Sequence, residues 1–85
     1  GMEDARPTDL EFTDGRVWVG TTGGLLAWDR EGNSWSRWAP ALDLMDAPVT
    51  SIEPLGEDVL RVTVKTDAGE QVYDFTIHSG KWTQR

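Results

Sequence analysis

The chain has 85 residues, with no cysteine, one histidine and five tryptophans. This describes one domain near the lower size limit for folding without disulfides or metals, and it excludes disulfides and thiolate zinc sites. Fifteen acidic residues against eight basic ones give a net charge of -7, and that field repels nucleic acids and anionic membranes. Because of this charge we expect no nucleic-acid partner. We also expect no membrane insertion, because no segment approaches the roughly 18 apolar residues of a membrane span.

Residues 1–6, GMEDAR, are predicted to be a tag remnant and an N-terminal tail. Gly1 before Met2 is typical of an expression-tag scar, and the segment has neither the basic region nor the apolar stretch of a signal peptide. If Met2 is the native start, the expected location is the cytoplasm. If the chain is a fragment of a membrane sensor, the expected location is the periplasm.

Residues 7–38 form a first predicted unit of four short strands. Turn residues that tolerate a positive φ separate them, including Asp14-Gly15 and the paired glycines Gly23-Gly24. The glycines at 20, 23 and 24 are expected to allow tight turns and a close approach of neighbouring backbones. The predicted strands lie near Thr8–Phe12, Arg16–Thr21, Leu25–Asp29 and Ser34–Trp38.

Residues 39–48 are predicted to be a linker loop with at most one turn of helix, since Pro40 and Pro48 bound them. Residues 49–85 form the second unit. Its clearest alternation is LRVTVKT, which places Leu60, Val62 and Val64 on one face. The predicted strands lie near Thr50–Leu55, Val59–Thr66, Gln71–Ile77 and Lys81–Thr83.

The two units align with each other as a repeat. VWVGT from Val17 falls on VTVKT from Val62, and LLAWDREGNSW from Leu25 falls on VYDFTIHSGKW from Val72. A period of about 40 to 45 residues is typical of a four-stranded propeller blade. The predicted fold is therefore all-β, with two tandem four-stranded antiparallel blade-like meanders in one domain.

The segment GRVWVGTTGGLLAWDREGNSW resembles the two-component regulator propeller repeat, which has an apolar-Trp-apolar-Gly-Thr strand and a Gly-Gly turn. Residues 16–21 carry the strand and Gly23-Gly24-Leu25 the turn. The second unit matches in outline only, with Thr63 at the tryptophan position and Lys65 at the glycine position. The resemblance implies β-propeller blades that bind ligands or transmit signals and carry no fixed catalytic residues.

Two blades do not close a propeller, which has about four to eight. Three arrangements are open: copies of the chain complete a closed or quasi-closed ring, the two sheets pack face to face as a small sandwich, or the chain is an excised piece of a larger propeller. The strand from Leu25 is apolar on both faces, whereas the strand from Val72 is apolar on the face of Tyr73, Phe75 and Ile77 only. We therefore expect a homo-oligomer that buries the spare face of the first unit.

The tryptophans are the candidate contact residues. Trp18 and Trp28 lie mid-strand and are expected in the core. Trp35, Trp38 and Trp82, at the last strand of each unit, are candidates for stacking on a sugar or gripping a partner. The competing interpretation is that these three close blade edges or subunit interfaces.

Other chemistry has little support in the sequence. The turn from Asp29 lacks the glutamate of a calcium loop, and His78 has no partner in sequence reach. Acid pairs such as Glu57-Asp58, or Asp43 with Asp46, are interpreted as solvated charges rather than a glycosidase pair. We expect no enzyme activity, no metal and no cofactor. The predicted function is a non-enzymatic sensing or protein-interaction module that binds itself, a protein partner or a small ligand, and the alternative is a small carbohydrate-binding module.

Overall fold

The computed structural model describes residues 7–13 and 15–85. The predicted tail at residues 1–6 and the turn residue Asp14 lie outside the described residues. Turn residues divide the rest into eight strands, whose ends differ from the predicted ends by two residues or fewer. They are β1 (Pro7–Thr13), β2 (Arg16–Thr21), β3 (Gly24–Asp29), β4 (Ser34–Trp38), β5 (Val49–Pro54), β6 (Val59–Thr66), β7 (Gly69–Thr76) and β8 (Lys81–Gln84).

The strands form two antiparallel meanders in tandem, which confirms the predicted fold class. The first sheet has the order β1-β2-β3-β4 and the second β5-β6-β7-β8. Both sheets carry a register shift at the same place in their first strand, between Pro7 and Asp9 and between Val49 and Ser51. A 3-10 turn at Leu42–Leu44 is the helical segment of the linker.

Equivalent hairpins connect the second and third strands of each sheet. The Thr21 hydroxyl donates to the Gly24 carbonyl at 2.7 Å, and the Thr66 hydroxyl donates to the Gly69 carbonyl at 2.9 Å. Gly24 and Gly69 have φ angles of +125° and +105°, a conformation that side chains other than glycine rarely adopt. The paired glycines therefore include the residue that the turn requires.

The core lies between the two sheets. The first sheet contributes Trp18, Leu25 and Ala27, and the second contributes a larger set of buried residues. These are Val49, Ile52, Leu60, Val62, Val64 and Phe75. Burial of this apolar surface is the main force that holds the sheets together.

The first strands of the two sheets, β1 and β5, make the closest contact. The Asp9 carboxylate accepts the backbone N–H of Ile52 at 2.8 Å, and the Thr8 hydroxyl donates to the Val49 carbonyl. A Cβ at Gly20 would lie 2.8 Å from the Val49 side chain. Glycine at this position therefore lets the sheets approach.

The two sheets differ in how many of their faces are apolar, as the alternation predicted. In β3, Leu25 and Ala27 face the core, while Leu26 is buried and Trp28 half-buried on the opposite face. In β7, Phe75 faces the core and Asp74 pairs with Arg61 on the opposite face. Within the described residues there is no helix with the length and hydropathy needed to cross a bilayer.

Candidate functional site

Two of the three candidate tryptophans lie at the edge of the core. The Trp38 ring is 5.7 Å from that of Trp18 and 5.4 Å from that of Phe75. The Trp82 ring stacks on Phe75 at 4.4 Å and meets Tyr73 edge-on at 6.2 Å. Both indoles are half-buried and pack against the core, so they fill the space between the outermost strands β4 and β8.

A cation covers the Trp38 side of this aromatic cluster. The Arg16 guanidinium lies 5.5 Å from the Trp38 ring centroid and 5.8 Å from that of Trp18, within the range of a cation–π contact. The Trp38 indole N–H donates to the Ser36 hydroxyl at 2.7 Å. Trp38 is therefore engaged on its rings and on its N–H, which favours the edge-closing role over ligand contact.

Trp35 lies on the opposite face of the first sheet. The strand register places it in a row that crosses all four strands, Phe12–Val17–Trp28–Trp35. Phe12 is 71% exposed and Trp35 is 54% exposed. We call this row the apolar strip.

A second row lies beside the apolar strip on the same face. It runs Leu10–Val19–Leu26–Arg37, with Val19 and Leu26 buried and Leu10 45% exposed. The two rows together are called the outer face of the first sheet. None of their apolar members belongs to the core cluster between the sheets, so this face is a separate apolar surface.

The two indoles of the apolar strip support each other. The rings of Trp28 and Trp35 lie 6.5 Å apart at 38°. The Trp28 indole N–H donates to the Asn33 side chain at 3.2 Å, and Asn33 is the hairpin residue with a positive φ of 49°. The β3–β4 hairpin thus fixes Trp28 and leaves Trp35 the more exposed of the pair.

The outer face of the first sheet carries little charge. Of the eight residues in its two rows, Arg37 alone is charged, and its guanidinium donates to the Asp46 carboxylate of the linker at 2.6 Å. An apolar face with one charge at a corner has few charged groups to desolvate, so a partner covers it at a lower electrostatic cost than it would cover a charged face.

The outer face of the second sheet is polar by contrast. The Arg61 guanidinium donates to the Asp74 carboxylate at 3.0 Å, and Arg85 approaches the other carboxylate oxygen at 3.4 Å. The hydrogen bond from Arg61 lowers the pKa of Asp74, with further electrostatic help from both arginines, and burial partly opposes the shift. The same hydrogen bond raises the pKa of Arg61. Both pKa shifts therefore follow from the ion pair between the two side chains.

Two of the acids considered for chemistry, Asp29 and Asp58, accept backbone hydrogen bonds at turns. The Asp29 carboxylate accepts the backbone N–H groups of Glu31 and Gly32 in the hairpin, at 3.0 and 3.2 Å, as in an Asx turn. The Asp58 carboxylate accepts the N–H of His78 at 2.8 Å. No cluster of three or more metal-ligating side chains occurs in residues 7–13 and 15–85.

An open cleft of about 550 Å³ lies where β1 and β5 end, next to the apolar strip. Phe12, Thr13, Pro54, Gly56 and Glu57 line it. Glu57 is the one titratable side chain among these lining residues, whereas general acid–base chemistry on a glycoside needs two facing carboxyl groups. These described lining residues therefore hold no facing pair of carboxyl groups.

Comparison with known proteins leaves the resemblance as a prediction. No protein-family model, no curated protein and no solved structure matches the chain. The propeller-repeat resemblance rests on the residues of the first repeat alone.

Sequence reasoning selected Trp35 but missed its neighbours in the apolar strip. The sequence analysis gives Phe12 no role and predicts Trp28 in the core, whereas Trp28 is half-buried on the outer face. The alternation of apolar residues in β1 and β2 is the pattern that indicates this row. Once the hairpin register is known, it places Leu10 opposite Val19 and Phe12 opposite Val17.

Proposed function

We propose that this chain is a non-enzymatic sensing or protein-interaction module whose contact surface is the outer face of the first sheet. The observation that carries the proposal is the apolar strip, which presents Phe12 and Trp35 on an open, nearly uncharged face. Exposed apolar patches rich in tryptophan mark interaction surfaces in soluble proteins. The resemblance to regulator propeller repeats supports the same class of function.

The partner that the composition favours is another copy of the chain. The apolar strip needs a partner with an equally apolar face, and the chain carries such a face itself. Self-association also answers the size problem of a domain of 85 residues, because small domains gain stability from oligomerisation.

Light scattering behind a sizing column tests this proposal. The wild-type chain is expected to move from the monomer mass to a larger species as its concentration rises through the micromolar range. Trp35→Lys should remain monomeric over that range. The matched control is Leu42→Lys, since Leu42 is 91% exposed on the linker and its substitution should leave association unchanged. A wild-type chain that stays monomeric throughout would contradict self-association.

Carbohydrate binding is the second candidate, and the Trp28–Trp35 pair is the observation that favours it. Two indoles side by side on an open sheet face offer the aromatic surface on which sugar rings stack. Fluorescence titration of the Trp35→Lys variant and the wild type with a panel of oligosaccharides separates the two functions. A saturable change in the wild type only would favour sugar binding, and unchanged spectra across the panel would count against it.

A further inference from the structure

The two sheets of the chain stack in the same sense. The face of the first sheet that carries Trp18 packs on the face of the second sheet that carries Val62. In the repeat alignment Val62 corresponds to Val17, which lies on the outer face of the first sheet. Equivalent faces therefore point in one direction, so the chain ends in two unlike faces, as a stack of repeats does.

These two end faces differ in chemistry. The outer face of the first sheet is the apolar one described above. The outer face of the second sheet is crossed by the row Glu53–Arg61–Asp74–Thr83, with Thr63 in the next row. Lys65 is exposed on the same face. The outer face of the first sheet therefore favours contact with a partner, and the outer face of the second sheet favours contact with water.

A head-to-tail contact between copies would place the apolar strip against this charged row. The ion pair of Arg61 with Asp74 would lose its water without gaining a new partner, and the desolvation of an ion pair can cost more than its attraction returns. Rings or filaments built by adding the second sheet of one copy to the first sheet of the next are therefore disfavoured.

We infer that two copies pair through the outer faces of their first sheets about a two-fold axis. This arrangement rests on the self-association proposed above. This arrangement places apolar strip on apolar strip and leaves both charged faces in water. A two-fold contact uses the same patch on both copies and closes on itself. The assembly is then a stack of four sheets that stops at the dimer.

The area of the outer face of the first sheet limits the expected affinity of the dimer. Four strands at ~4.8 Å spacing and about six residues at ~3.3 Å rise give a footprint of at most roughly 400 Å² per copy, since Val19 and Leu26 are already buried within one copy. Two such faces bury at most about 800 Å², which is below the roughly 1,200–2,000 Å² of stable interfaces and is typical of a weak, transient contact. We therefore expect a dissociation constant in the micromolar range, and Trp35→Lys should raise it roughly tenfold or more.

Single-cysteine variants test the arrangement, since the native chain has no cysteine. Val17→Cys places a half-buried thiol in the apolar strip, where a two-fold axis that passes through the strip brings the two sulfurs together. Thr83→Cys places one on the charged row of the second sheet. With a short bis-maleimide, Val17→Cys should give a covalent dimer and nothing larger, whereas Thr83→Cys should give none.

The double variant with both cysteines distinguishes the two arrangements directly. Two-fold pairing predicts a single covalent dimer, because the thiols of the second sheet stay apart. A ladder of products above the dimer would show head-to-tail contacts and would overturn the two-fold arrangement while leaving the interaction function intact. Covalent dimers from Thr83→Cys alone would also overturn the two-fold arrangement. So would association that is lost in Trp35→Lys but gives no cross-linked product from Val17→Cys.

The fold of each variant is checked by its tryptophan emission and circular dichroism before cross-linking. If the wild-type chain remains monomeric by light scattering and Val17→Cys gives no product, both the two-fold arrangement and the proposed self-association fail. The sizing experiment thus reports on the function and the cysteine experiment on the geometry.

Discussion

A methyl group added at Gly24 tests how the linker is held against the first sheet. Gly24 and Gly69 occupy equivalent places in the two hairpins, with similar hydrogen bonds from the preceding threonines and similar positive φ angles. They differ in their surroundings. A Cβ at Gly24 would lie 2.5 Å from the Met45 carbonyl oxygen, whereas a Cβ at Gly69 would meet nothing within 4 Å.

The matched pair separates backbone strain from steric overlap. A positive φ costs alanine about 1–2 kcal/mol, and the lower entropy of the unfolded chain returns about 0.4–1 kcal/mol. Gly69→Ala should therefore destabilise the fold by about 1 kcal/mol. At Gly24 the Met45 carbonyl must also retreat from 2.5 Å to the 3.4 Å of an ordinary contact, which adds about 1–3 kcal/mol.

Urea unfolding followed by tryptophan fluorescence measures the difference. At about 0.05–0.15 kcal/mol per residue the whole domain has roughly 4–13 kcal/mol of stability, so the Gly24→Ala loss is a large share. With a slope of about 1–3 kcal/mol per molar urea, its midpoint should fall about 1 M below that of Gly69→Ala. Both variants are compared at one protein concentration, because association shifts apparent stability. Equal midpoints would refute the argument that the Met45 contact makes the first hairpin depend on glycine.

Three further outcomes are expected from the packing and the charges. Phe75→Ala should lower the free energy of unfolding by about 3–5 kcal/mol because its ring fills the aromatic cluster, whereas Leu42→Ala should change it by less than about 0.5 kcal/mol; similar urea midpoints would contradict this. The pKa of Asp74 is lowered by Arg61, so its contribution is present above the ordinary carboxyl pKa of about 3.9 and is lost as pH falls through the lowered value. Asp74→Asn should flatten the acid limb of stability against pH, and an unchanged limb would count against the ion pair. Asp9→Ala should lower the free energy of unfolding by about 1–3 kcal/mol, because it leaves the backbone N–H of Ile52 in the second sheet unpaired. Hydrogen exchange at the Ile52 amide checks this.

The strands were predictable from sequence because their signals are local. Turn residues at short intervals and period-two alternation depend only on neighbours along the chain, as in LRVTVKT, where Leu60, Val62 and Val64 all face the core. The repeat added the tandem arrangement of the two meanders. These features needed no knowledge of how the sheets pack.

The candidate site was less predictable because exposure depends on the packing of sheets. Trp28 and Trp18 both lie mid-strand, yet Trp18 is buried in the core and Trp28 lies on the outer face. Trp35 and Trp82 align in the repeat, yet Trp82 stacks on Phe75 while Trp35 stays open. Alternation shows that two residues share a face, but it cannot show which face meets the other sheet.

The departures of the second repeat from the pattern have a physical explanation in this packing. In the first repeat Trp18 and Gly20 form the contact with the second sheet, where the indole fills the core and the glycine admits Val49. Thr63 and Lys65 occupy the equivalent positions of the second repeat. They lie on the face that neither of the two described sheets covers, where an indole would be exposed and close approach is not needed. The polar substitutions therefore suit a terminal face in water, whereas the apolar strip at the other end is the surface that we propose a second copy covers.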